Sequence, residues 1–66
     1  MKSLIEEIKD AIKDEERDNL KYERMANIAK KAGYREIETK LREIQKDEQR
    51  HARCLREKLS DLKAEE

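Results

Sequence analysis

The chain has 66 residues, 17 of them Lys or Arg and 17 Asp or Glu, so its formal net charge is zero. A balanced charge argues against nucleic-acid binding, which usually requires a strongly basic surface. There is no run of about 18 apolar residues, and acidic residues follow the first five positions, so neither a membrane span nor a secretory leader is expected. With one Gly and no Pro, the chain lacks the turns of an all-β fold.

Length and cysteine content limit how such a chain can be stabilised. A single Cys cannot form an internal disulfide, which predicts a reducing, cytoplasmic location. Below about 70–80 residues a lone hydrophobic core rarely suffices, and disulfides, a metal or self-association usually add stability. The sequence therefore points to a metal site, to oligomerisation, or to both.

The first half of the chain has the periodicity of an amphipathic helix. On a wheel of about 100° per residue centred on Glu15, small and apolar residues cluster within about 40° of that position. They are Leu4, Ile8, Ala11, Tyr22, Ala26 and Ala29. Ser3 followed by Glu6 is typical of a capping box, and Gly33 is typical of a helix C-terminus. These signals predict a first helix over about residues 3–32.

The second half repeats this design on a wheel centred on Glu48. Its apolar positions are Ile37, Leu41, Ile44, Ala52, Leu55, Leu59 and Leu62. They predict a second helix over about residues 35–63, although its start lacks a clear cap. The heptad phase slips by one residue between Ala29 and Ile37, around Gly33. We therefore expect one domain over residues 1–66, a tight antiparallel helical hairpin. One continuous helix with a skip is the alternative.

Ionisable side chains interrupt both apolar stripes at their midpoints. Glu15 and Glu48 stand at the stripe centres, and His51 lies one turn after Glu48 and about 60° away. In a hairpin that turns at Gly33, facing residue numbers sum to about 66 or 67. Glu15 then faces His51, and Asn19 faces Glu48, so the two interruptions meet at one height.

A two-helix hairpin cannot cover its own apolar stripe, so the smallest remedy is a two-fold dimer that forms a four-helix bundle. The bundle centre would then hold four carboxylates and two imidazoles. Burying each ion costs several kcal/mol, against a total stability of about 5–15 kcal/mol. Two divalent cations would neutralise the four carboxylates, and water is the alternative.

The residue types suit a metal site. Glu48 and His51 form a Glu-x-x-His motif, which places both side chains on one helical face, and Glu15 supplies a carboxylate from the other helix. This combination is the pattern of di-iron and di-manganese carboxylate bundles. The structural alternatives are a glutamate tolerated at a small interface and a hydrogen-bonded polar layer that fixes the register of the bundle.

At these residues the chain resembles the ferritin-like superfamily. Residues 15–22, EERDNLKY, are similar to its first metal-binding helix, in which a ligand Glu precedes a Tyr by seven residues. Residues 46–51, KDEQRH, are similar to the second. The resemblance spans about residues 12–59 and is closest to encapsulated ferritins and to single halves of rubrerythrin-type bundles. It implies Glu15, Glu48 and His51 as metal ligands and Tyr22 as a catalytic tyrosine near the iron centre.

The resemblance also implies a function. We expect a ferroxidase that oxidises Fe(II) to Fe(III) in iron storage or detoxification, with two Fe per dimer; Mn, Zn and Ca are possible substitutes. The expected partners are a second copy of the chain, a higher ring oligomer and an encapsulin shell. The targeting tail of encapsulated ferritins is not seen in these 66 residues. The alternatives are peroxide reduction at the same di-metal site and a metal-free helical dimerisation module.

Other residues near the predicted site have two interpretations each. Tyr22 is either core or a hydroxyl that bonds a ligand carboxylate, and Asn19 either supports the ligands or packs beside them. Cys54 is predicted to be a small, half-buried residue at the edge of the stripe; the alternative is a metal ligand or a redox thiol. An acidic surrounding is either a solvated face or a funnel that concentrates cations; its residues are Asp14, Glu16, Asp18 and Asp47.

Overall fold

The computed structural model describes residues 2–65, which form two antiparallel helices, α1 (Leu4–Ala32) and α2 (Arg35–Glu65). The molecule measures 50 × 20 × 11 Å, and its smallest dimension equals the diameter of one helix, so both helices lie in a single layer. The all-α helical hairpin is confirmed, and the alternative of one continuous helix is wrong. Helix α2 continues to Glu65, two residues beyond its expected end at 63.

Helix α1 begins where the sequence predicts because Ser3 caps it. The Ser3 hydroxyl oxygen accepts a hydrogen bond from the backbone N–H of Glu6 at 3.2 Å, which satisfies one of the free donors of the first turn. Glu6 and Glu7 place negative charge at the positive end of the helix dipole. The start of the hairpin is therefore set by local chemistry.

The turn depends on Gly33, whose φ of 83° lies in the left-handed region. The N–H of Gly33 donates to the Lys30 carbonyl at 3.1 Å, and the N–H of Tyr34 donates to the Ala29 carbonyl at 2.9 Å. These two bonds form a Schellman motif, which closes the last turn of α1. Since α2 begins at Arg35, this turn fixes which residues of the two helices face each other.

The contact between the helices is close but small. Among residues 2–65, four apolar residues are buried, and three of them are alanines: Ile12, Ala26, Ala29 and Ala52. Alanine at the contact lets the helix axes approach, yet it removes little apolar surface from water. Two side-chain hydrogen bonds near the turn add polar contact. Arg42 donates to Glu38 on its own helix at 2.9 Å and to Asn27 on α1 at 3.2 Å.

The hairpin leaves much apolar surface uncovered. It exposes 5463 Å², whereas a compact monomer of 7.9 kDa exposes about 4,400 Å². The excess of about 1,000 Å² is comparable to the roughly 800 Å² that each partner buries in a standard protein interface. Ile37 and Ile44 on α2 remain 53% and 37% exposed. Within residues 2–65, neither helix combines the length and the apolar character that crossing a membrane requires.

We predict that Gly33→Ala lowers the free energy of unfolding by about 1 kcal/mol, because a Cβ penalises the left-handed conformation. No atom stands within 4 Å of the added Cβ, so backbone strain alone causes the loss. Urea unfolding measures it. Gly33→Asn is the control and should lose less, since Asn tolerates this conformation better. Equal losses for Ala and Asn would contradict the assignment.

Candidate metal centre

The hairpin brings one side chain of α1 and two of α2 together near the middle of the layer. Glu15, Glu48 and His51 each offer a ligand atom, and these atoms all lie within 4.8 Å of one another. Glu48 and His51 share a face because they are three residues apart on α2. The register set by the Gly33 turn places Glu15 of α1 at the same height.

These distances suit a divalent cation after a small adjustment. Oxygen and nitrogen ligands bind transition-metal ions at about 2.1 Å, so two ligand atoms on one ion stand at most about 4.2 Å apart. Side-chain rotations that move an atom by less than about 1 Å would close the cluster onto an ion. Two carboxylates with an imidazole are ligands suited to iron, manganese and zinc.

Glu15 carries an unsatisfied oxygen. Its side chain is 25% exposed, and its Oε2 atom is buried with no hydrogen-bond partner. The nearest nitrogen is Nδ1 of His51 at 3.7 Å, which is too long for a hydrogen bond. A buried carboxylate oxygen without a donor is costly, and a cation would satisfy it. The donor set therefore fits a bound metal.

Glu48 experiences the negative charge of its neighbours. The adjacent Glu15 carboxyl raises the pKa of Glu48, because it favours a protonated neighbour, and partial burial and the charge of Asp18 act in the same direction. His51 opposes them by favouring the ionised form. Two carboxylates this close repel each other unless a proton or a cation lies between them.

Comparison with family models identifies the family of the chain. The model described as Rubrerythrin matches residues 6–66, which is nearly the whole sequence. The chain belongs to the rubrerythrin family. Comparison with curated proteins and comparison with solved structures gave no match.

Family membership confirms the coarser part of the resemblance. It indicates a di-iron protein of the ferritin-like type with iron-related redox chemistry, and it supports iron as the metal. It does not distinguish an encapsulated ferritin from other members, so that closer resemblance stays a prediction. In this rubrerythrin-family chain, the cluster brings two glutamates, Glu15 and Glu48, to the single histidine of the sequence, His51.

The remaining predicted residues lie around the cluster but do not join it. Tyr22 is half-buried on the same face of α1 as Glu15, seven residues or about 10 Å along the helix. Its catalytic role stays a prediction. Asn19 is half-buried, and its Oδ1 atom is buried without a partner, like that of Glu15. The expectation that Cys54 is half-buried is wrong, because α2 turns this residue outward to solvent.

The acidic surrounding of the cluster is largely paired with arginine. Asp14 pairs with Arg17, and Asp47 pairs with Arg50, each within one helix. Glu16 instead pairs with Arg56 of the other helix. Pairing offsets the negative charge at these three positions, so little of a free acidic funnel remains.

A groove beside the cluster was not anticipated from the sequence. It has a volume of about 340 Å³ and includes both carboxylates of the cluster, but His51 does not line it. The other walls come from α1 and α2 alike: Glu16, Asn19, Leu20, Gln49, Ala52 and Arg56. The helical wheels did contain a signal for this groove. Glu16 and Gln49 each follow a site glutamate by one residue, so their side chains lie to one side of that glutamate.

We predict that Glu48→Gln stabilises the metal-free protein at pH 7 and raises its melting temperature by about 3 °C. Because the folded-state pKa of Glu48 lies above its ordinary value of 4.5, the proton contributes stability below pH 4.5 that is lost as pH rises through the folded pKa. The amide cannot ionise, so the melting temperature of the variant should fall less over this range. Glu57→Gln, at an exposed position of α2, should leave the profile of the parent unchanged.

Melting curves followed by circular dichroism at pH 4 to 8, with a chelator present, give both profiles. A parent whose melting temperature changes with pH in the same way as that of Glu48→Gln would contradict repulsion between the two glutamates.

Proposed function

We propose that the protein is a di-iron ferroxidase whose metal centre is completed by a second copy of the chain. The observation that carries the proposal is the cluster of Glu15, Glu48 and His51, with one buried carboxylate oxygen lacking any donor. Membership in the rubrerythrin family supports iron as the occupant. The proposed location is the cytoplasm, since the single Cys suits a reducing compartment.

Each part of the ligand set has a distinct role. Glu15, Glu48 and His51 would hold the ions, the two glutamates through anionic oxygens and His51 through a ring nitrogen. One hairpin offers only three protein ligands, which is too few to hold two ions. Two hairpins related by a two-fold axis offer four carboxylates and two imidazoles, and the four negative charges balance two Fe(II) ions.

The apolar surface argues for the second copy. His51 is 60% exposed and lies on the same side of α2 as the exposed Ile44, about 20° apart on the helical wheel. An identical hairpin placed against this face would cover the apolar residues and bring the two clusters together. Such a dimer is a four-helix bundle, the usual setting of di-iron carboxylate centres. A ring of dimers or an encapsulin shell would extend the same assembly.

The chemistry follows from the charge of the ligands. Carboxylates stabilise Fe(III) over Fe(II), because the additional positive charge is attracted more strongly by anionic oxygens. Oxidation of two Fe(II) ions releases two electrons, which with two protons reduce O2 to H2O2. The Tyr22 hydroxyl would lie further along the face of α1 that carries Glu15.

We predict that Glu48→Ala and His51→Ala each abolish Fe(II) oxidation above the rate in protein-free buffer, because each removes a ligand. Absorbance of the ferric product after mixing with O2 gives the rate, and H2O2 as a second oxidant distinguishes a ferroxidase from a peroxide reductase. Glu57→Ala, which removes an exposed carboxylate from the same helix, should retain the rate of the parent.

Three outcomes would reject parts of the proposal. Iron binding without faster oxidation by O2 would reject the ferroxidase but keep the centre. Faster turnover of H2O2 than of O2 would favour the peroxide reductase. If both variants dimerise and melt like the parent with and without Fe(II), the protein is a metal-free dimerisation module.

We predict that the parent forms a dimer carrying two Fe(II) and that Ile44→Asp stays monomeric at the same concentration. The aspartate would be buried against apolar groups in the dimer, at a cost of several kcal/mol. Native mass spectrometry under anaerobic conditions reports the oligomer and its iron content together. The control is Leu20→Asp, which changes an exposed residue on the groove side of α1 and should still dimerise. A dimeric Ile44→Asp variant would exclude this face as the interface.

A further inference from the structure

The groove beside the metal cluster opens on the opposite side of the hairpin from the apolar face. Gln49, which lines the groove, is about 100° around α2 from Glu48, whereas His51 is about 60° from it in the other direction. Ile44 lies on the His51 side, about 40° from Glu48. A second hairpin that covers Ile44 and His51 would therefore leave the groove facing solvent.

The floor of the groove is made by the site itself. Glu15 and Glu48 line it, together with Asn19, whose Oδ1 atom is buried and has no hydrogen-bond donor. Unpartnered carboxylate and amide oxygens are ligands that divalent cations accept readily. The groove thus connects solvent to the cluster. Past its mouth, the lining residues offer oxygen atoms and no positively charged side chain.

An ion pair between the two helices stands at the solvent-exposed rim, or mouth, of this groove. Glu16 Oε1 of α1 accepts from Arg56 Nη2 of α2 at 2.5 Å, and both side chains are 53% exposed. An ion pair this exposed is screened by solvent and breaks readily. Glu16 follows the ligand Glu15 directly, so its carboxylate is held at the side of the site.

We propose that this groove is the route by which Fe(II) enters the metal centre, with Glu16 as a transit carboxylate and Arg56 as its exchangeable counter-ion. The proposal rests on the proposed function, since it needs a metal centre with its apolar face covered. An incoming divalent cation displaces Arg56 from Glu16, passes the Asn19 oxygen and reaches Glu15 and Glu48. Arg56 then returns to Glu16 and restores the neutral mouth.

A transit group differs measurably from a ligand and from a group that only attracts cations. It speeds entry and exit alike, because it stabilises the ion between solvent and site, so the rates change while the equilibrium affinity does not. Glu16→Gln should slow both association and dissociation by about fivefold and leave Kd within about twofold. Arg56→Gln should accelerate both rates, because nothing then competes for Glu16.

The experiment uses Co²⁺ as an air-stable probe of the dimer. Association is followed by stopped-flow quenching of tyrosine emission, which is unobscured since the chain has no Trp. Dissociation is followed after mixing the loaded protein with excess EDTA, and calorimetry gives Kd. The matched control is Asp14→Asn, which removes the same charge on the other flank of Glu15 from a carboxylate also paired with arginine. The dissociation rate of this control should equal that of the parent.

Each outcome decides the proposal. Equal rates for Glu16→Gln and Asp14→Asn would overturn the route while leaving the centre intact. Slower association with unchanged dissociation would overturn it too, because Glu16 would then only attract cations. A parent that binds no Co²⁺ and no Fe(II) would overturn the proposed metal centre, and the route with it. Circular dichroism and native mass spectrometry establish that each variant folds and dimerises.

Discussion

Two carboxylates meet midway along a hairpin that has almost no core, and the other features of the molecule follow from this contact. Glu15 and Glu48 are held together by the Gly33 turn, which sets the register, and by the buried alanines, which set the spacing. Both glutamates are partly buried between the helices, so their negative charges lie close together. The repulsion must be neutralised where it arises, by a proton or by a cation.

The single-layer shape gives the site two different sides. One side carries His51 among exposed apolar residues, which suits a partner that excludes water. The other carries the groove with its polar rim, which suits exchange with solvent. A carboxylate at the centre of an apolar stripe reaches both sides of the layer. It points between the other helix of the same hairpin and the uncovered apolar face. The same residue can thus bind metal at an interface and remain accessible from outside.

Helical periodicity was sufficient to predict the fold because every decisive element is local. Ser3 caps α1 through its own side chain, and Gly33 alone can adopt the turn conformation, so the pairing of Glu15 with His51 follows by counting. The wheels give direction around each helix, but they do not give rotamers. The pair of Glu16 and Arg56, forty residues apart, depends on the conformations of two long side chains. The exposure of Cys54 depends on the small area of contact.

A metal centre of the proposed kind would also explain how so small a chain can be stable. A cation that binds only the folded, paired state adds a free energy that grows with its concentration relative to Kd, about 2.7 kcal/mol at a hundredfold excess. That is comparable to burying one or two large apolar side chains, which the described part of this hairpin lacks. Folding, pairing and metal binding would then form one coupled equilibrium. Because the two carboxylates repel each other in the empty site and would hold the ion in the filled one, the same residues would provide both the proposed function and the missing stability.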